Sequence, residues 1–194
     1  MKPILTTLLG IAVLLFVTAG ASAQSLTVFV GGNVGAESGA SLRGITNEMS
    51  RLNMGARVST MIAGIFGSEI DVGYTPDFYG TGTGARSSRL LTVMGDVVVG
   101  IPAGFLHPYA LAGVGLIRRT VTWPPAPGGS EDSQTDSSAA YAIGGGVDLS
   151  VIPHLGVNAE IRYFRNFARG NPVLDPEDEP FSFVRGSVGI SVRF

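Results

Sequence analysis

The 194-residue chain contains no cysteine, which excludes disulfides and thiolate metal sites. Its only lysine is Lys2, so every later basic group is an arginine. An arginine stays charged when desolvated and pairs bidentately with a carboxylate. There are only two histidines, His107 and His154, beside Pro108 and Pro153 in stretches that read as short turns. No G-x-S-x-G nucleophile elbow occurs, so the sequence offers no constellation for nucleophilic catalysis. Net charge is −2, with no basic cluster of the kind nucleic-acid binding requires. Beyond residue 23, no apolar run approaches the roughly 20 residues of a membrane-spanning helix.

The N-terminus carries a different signal. Met1-Lys2 is followed by an apolar run from Ile4 to Val17 and then by Ala21-Ser22-Ala23. A charged start, an apolar segment and a small-residue cleavage site predict a secretory signal peptide over residues 1–23. One domain, residues 24–194, then remains. It carries no cysteine for lipid attachment at the cleavage point. The chain is 45% hydrophobic and holds 28 glycines. An exported, apolar chain without spanning helices has one other way into a membrane, a closed β-barrel.

Alternation supports that route. From Val184 on, Val184, Gly186, Val188, Ile190, Val192 and Phe194 share one face of a strand, and Arg185, Ser187, Gly189, Ser191 and Arg193 share the other. The same period of two recurs near 26–35, 52–62, 69–75, 91–99, 109–123, 141–151 and 155–164. The phase of 109–123 is the least defined: Tyr109 and Leu111 outward put Arg118 and Thr120 inside. The connections alternate long and short, with long ones at 36–51, 76–88, 124–137 and 168–180. Outer-membrane barrels sort short periplasmic turns from longer extracellular loops in this way. The expected fold is all-β: an eight-stranded antiparallel up-and-down transmembrane barrel in the outer membrane.

Gly-Tyr-Thr-Pro-Asp-Phe-Tyr (73–79), His-Pro-Tyr-Ala-Leu-Ala-Gly-Val-Gly (107–115), Glu-Ile-Arg-Tyr-Phe (160–164) and the terminal Phe194 resemble the OmpA-type eight-stranded outer-membrane β-barrel family, which includes opacity-type surface proteins. The likeness covers essentially all of residues 24–194. It implies a C-terminal assembly signal at Phe194 that is read by the barrel assembly machinery. It also implies contact with outer-membrane lipids and lipopolysaccharide, a monomeric state and a surface partner for the loops. OmpA itself adds a peptidoglycan-binding domain after the barrel; this sequence ends at Phe194, so tethering to the cell wall is not implied.

An arginine facing lipid at mid-depth costs roughly 2–4 kcal/mol, so the charges are expected inside. The alternation assigns Arg57, Glu69, Asp71, Asp96, Arg118, Asp148, Glu160, Arg162, Arg185 and Arg193 to a lumen salt-bridge network. Eight strands enclose only enough space for their own side chains. Tyr74, Tyr109, Trp123, Tyr141 and Tyr163 are expected at the membrane interfaces, with Phe78 and Phe181 also near the outer rim. The acidic run Asp175–Glu179 reads as a solvated loop. The expected function is a non-enzymatic envelope barrel without a cofactor. The alternatives are a small gated channel and a soluble ligand-binding barrel, which would invert the placement of charge.

Overall fold

The structure, a computed structural model, describes residues 23–34, 52–76, 78, 87–123, 132–167 and 181–194. They form eight strands: β1 (Ala23–Val34), β2 (Leu52–Ile62), β3 (Phe66–Pro76), β4 (Ser87–Gly100), β5 (Leu106–Trp123), β6 (Asp132–Ile152), β7 (Leu155–Asn166) and β8 (Ser182–Arg193). Each pairs antiparallel with its neighbours in sequence, and β1 also pairs with β8, so the sheet closes. Closure satisfies the backbone of every strand and removes the exposed edges an open sheet would carry. The short connections lie at one end with the first residue of β1 and the last of β8. Between β2 and β3, Ala63 and Gly64 both have positive φ (54° and 70°), and the Ile65 amide donates to the Ile62 carbonyl at 3.0 Å. Positive φ at both central residues of this three-residue connection gives a turn whose twist matches that of the flanking strands.

The wall is apolar outside and charged inside. Val97 is 63% exposed and Ile161 66%, whereas Arg57, Asp71, Arg162 and Arg185 are 2% exposed or less. A water-soluble barrel would place these groups the other way round. No helix among the described residues is long and apolar enough to cross a membrane; strands are the remaining route. Val188, near the middle of β8, points outward and is 56% exposed. Val188→Arg is expected to lower folding stability by roughly 2–4 kcal/mol, read as a shift in the denaturant midpoint for folding into vesicles.

Two sequence expectations need correction here. In β5 the phase is opposite to the expected one. Leu111, Ile117, Arg119 and Val121 are buried inside, and Arg118 is exposed on the outer wall. Tyr109 therefore points inward, with its hydroxyl donating to Glu160 at 2.8 Å. Second, β6 starts at Asp132, so residues 132–137 extend a strand where composition suggested a loop. They pair with Arg118–Trp123 of β5. Likewise Ser87 and Ser88 belong to β4, and Pro76 to β3. The expected signal peptide through residue 22, most of the four long connections and the acidic run at 175–179 lie outside the described residues.

Candidate functional site

Among the described residues, the lumen is where the fold gathers buried polar and charged side chains, and it has three levels. At the short-turn end lies a cavity of about 200 Å³, lined by Ser25, Ser59, His107, Tyr109, Asp148 and Arg193 among others. Arg193 reaches Asp148 at 2.7 Å and Ser150 at 2.5 Å. Both members of that ion pair keep about a fifth of their surface. His107 stands at the start of β5 rather than in a turn and lines this cavity. His154 stays in the turn, its Nδ1 3.2 Å from the Arg193 carbonyl oxygen.

The middle level is ionic. Inward positions on β2, β3, β4, β7 and β8 converge because each strand projects every second side chain to the axis. Arg162 donates to Asp96 at 2.6 Å, to Glu69 at 2.8 Å and to Glu160 at 3.0 Å. Arg57 donates to Glu160 at 2.6 Å and to Asn158 at 3.1 Å. Arg185 places one amino nitrogen on both oxygens of Asp71, at 2.8 and 2.7 Å. Asp71 also lies 3.7 Å from Arg57 and 3.8 Å from Arg162. Three guanidiniums thus interlock with four carboxylates, and every member is almost fully buried.

Aromatic faces complete the packing of the cations. Phe29, inward on β1, lies 4.6 Å from the Arg57 guanidinium and 4.7 Å from that of Arg185; Phe164 lies 4.9 Å from the latter. The Arg185 nitrogens without a hydrogen-bond acceptor belong to a guanidinium that packs against these two rings. Ring faces attract a desolvated cation. Room for the arrangement comes from missing side chains. A Cβ at Gly55 would run into the Phe29 ring, and one at Gly73 into Arg185.

The third level, toward the long connections, is mainly apolar, with Asn33 and Asn53 both donating to the buried Thr75 hydroxyl at 2.6 and 2.9 Å beside it. Phe78, Leu90, Met94, Ile117, Ala140, Ala142, Phe164, Phe181 and Phe183 form one buried cluster. Phe164 stacks on Phe183 at 4.6 Å, and Phe78 meets Phe181 and Phe183 edge-on at 5.6 Å. Phe78 and Phe181 were expected at an interfacial girdle; they fill the lumen instead. Arg119 lies against the Phe181 ring and pairs with Asp136 at 3.0 Å.

Of the predicted network, the structure brings Arg57, Glu69, Asp71, Asp96, Glu160, Arg162 and Arg185 together and sets Asp148 and Arg193 apart as a second pair. Arg118 joins neither. Arg119, Tyr109 and Asn158 were missed. No pattern in the sequence signals the strand partner of Arg119, because residues 133–138 are polar at every position. Among the interfacial aromatics, Tyr74, Tyr141 and Tyr163 stand on the outer wall toward the long connections, and Trp123 ends β5. Tyr109 is in the lumen. Phe66, Phe105 and Phe194 are exposed at the opposite end. Among the described residues, no group of three or more histidine, aspartate or glutamate side chains is placed to hold a metal ion.

Residues 9–194 match the family described as the outer membrane protein beta-barrel domain. The chain belongs to this family. It is an outer-membrane protein of the OmpA-like type, and its eight-stranded closed barrel is the fold of its structural neighbours. A major outer membrane protein from Thermus thermophilus superposes with a TM-score of 0.67 at 12% identity, over 90% of this chain and 100% of that one. The attachment invasion locus protein Ail of Yersinia pestis gives 0.59 at 15% identity, over 89% and 99%. Neisserial surface protein A gives 0.55 at 17%, over 89% and 96%. No curated protein sequence matches the chain.

Proposed function

We propose that this outer-membrane barrel is a sealed, non-catalytic envelope protein that acts through its outward-facing surface. The supporting observation is the state of the lumen. An ionic plug held by Arg57, Arg162 and Arg185 fills mid-depth, and the aromatic cluster lies above it. Each guanidinium is held by contacts from several strands. The cavity at the short-turn end stops at Arg57, Glu69 and Tyr109, which supports a blind vestibule rather than a path. The four long connections then face outward, following the sorting of loop lengths in such barrels. Ail, named for attachment and invasion, lends analogy to a surface-contact role. The barrel works as a monomer among outer-membrane lipids.

The competing reading is a gated channel in which exchange of ion-pair partners opens the plug. Planar-bilayer recordings separate the two. The purified barrel is expected to show no resolved single-channel steps, and Arg162→Ala is expected to be equally silent because the aromatic cluster remains. Stable conductance steps from the unmodified protein would refute the sealed lumen.

A further inference from the structure

Among the described residues, the lumen below the aromatic cluster holds one more carboxylate than guanidiniums. The three guanidiniums of the ionic level face four carboxylates, and the Arg193–Asp148 pair adds one of each. Two carboxylate oxygens lack a hydrogen bond among the described residues. One is Oδ1 of Asp96, which is turned into the β5 wall, where a Cβ on Gly113 would collide with it. The other belongs to Glu69. This side chain is only 6% exposed and spends one oxygen on Arg162 at 2.8 Å, leaving its second oxygen free. A desolvated carboxylate without compensation is costly.

Glu69 borders open space, because it lines the cavity of about 200 Å³ at the short-turn end. One wall of that cavity is a row of acceptors. Ser25, Ser59 and Glu69 are successive partners across β1, β2 and β3, with neighbouring Cβ atoms roughly 5 Å apart. The two hydroxyls share one hydrogen bond at 2.7 Å, which leaves lone pairs on both oxygens. His107 stands four strands round the barrel from β1 and lines the same cavity, its Nδ1 buried and unpartnered among the described residues. Met61 and Val98 give the cavity an apolar side.

We propose that this vestibule is a binding site for a small primary ammonium ion with a short alkyl chain. The ammonium head lies against Glu69, Ser59 and Ser25, and the chain lies against Met61 and Val98. A primary ammonium has three N–H donors and no acceptor. It suits a row of acceptors and supplies the one positive charge the lumen lacks. A metal ion suits the place less well. Among the described residues, no group of three or more histidine, aspartate or glutamate side chains is placed to hold one, and it would leave the apolar side unused. The opening of the vestibule toward the periplasm is taken from the proposed function; the cavity and the surplus carboxylate are not.

Backbone-amide NMR shifts of the isotopically labelled, folded barrel in zwitterionic micelles test the site. The probes, at equal concentration in an amine-free buffer, are n-butylammonium, n-butanol and sodium ion. n-Butylammonium is expected to cause saturable shifts confined to the cavity lining, including Ser25, Ser59, Glu69 and His107, and the other two probes to cause none there. Glu69→Gln keeps an acceptor for Arg162 and is expected to weaken the binding roughly tenfold or more, through loss of a charge-assisted contact. Ser59→Leu leaves the charges in place, fills the polar side and is expected to abolish saturation. Heat-modifiable gel migration verifies that each variant is folded. Unchanged binding in both variants overturns the proposal. So do equal shifts with n-butanol, equal shifts with sodium, or shifts that follow acidification alone and ignore the amine, which would place a proton on Glu69 instead. Bilayer recordings on the same samples report on the lumen separately, so conductance with intact amine binding would refute only the sealed barrel.

Discussion

Arg162→Ala is expected to destabilise the barrel by on the order of 3–5 kcal/mol, the cost of leaving buried carboxylates without their partner. Arg162 is fully buried and donates to Asp96, Glu69 and Glu160. Its loss leaves two guanidiniums facing four carboxylates. The folded fraction, read from gel migration across a urea series, gives the magnitude. Arg193→Ala is the comparison, because its pair with Asp148 is partly exposed and solvent screening holds such pairs to roughly 1 kcal/mol or less. Adding Asp96→Asn to Arg162→Ala is expected to cost less than the sum of the single changes, since the second change removes a charge the first left unpaired. Equal effects of Arg162→Ala and Arg193→Ala would show that mid-depth burial of the network carries no special weight.

Phe164→Ala should have an effect of similar size, roughly 3–5 kcal/mol, by a different route. The ring is fully buried, stacks on Phe183 and covers one side of the Arg185 guanidinium. Truncation opens a cavity and removes a cation–π contact together. Because the ionic level is left in place, the variant is expected to remain silent in planar bilayers while unfolding at lower urea. A variant as stable as the wild type would mean that the outer level repacks freely and does not brace the network beneath it.

Which parts of this architecture could be read from residues alone follows from where the two faces of a strand differ in polarity. In β2, β3, β4, β7 and β8 a β-branched or aliphatic face opposes one holding Arg57, Asp71, Asp96, Arg162 or Arg185, and the phase is plain. In β5 that contrast disappears. The lumen near the long connections is largely apolar, so Ile117 and Val121 face inward while Val114 and Leu116 face outward, and lower down Leu111 also turns inward. Adjacent Arg118 and Arg119 then give no preference, and the wrong one was placed inside. The same apolar level explains Phe78 and Phe181, whose rings suit an interface or a plug equally well on composition. Residues 132–137 are polar on both faces and still form a strand, because pairing with β5 supplies the backbone hydrogen bonds that composition does not reveal. The network itself was half legible. Parity placed its members inside, but which guanidinium meets which carboxylate depends on strand stagger, and that is set by the closed register rather than by any local pattern.

The central claim is that the aliphatic wall faces oil and the charges face the axis. The absence of cysteine makes a single-cysteine series straightforward. Spin labels at Val30→Cys, Val97→Cys, Ile161→Cys and Val188→Cys, in barrels folded into vesicles, report collision with oxygen, which partitions into lipid, and with a water-soluble nickel chelate. At all four positions oxygen is expected to collide freely and the chelate to be excluded. Free access of the chelate at these positions, with oxygen at its aqueous level, would contradict the account.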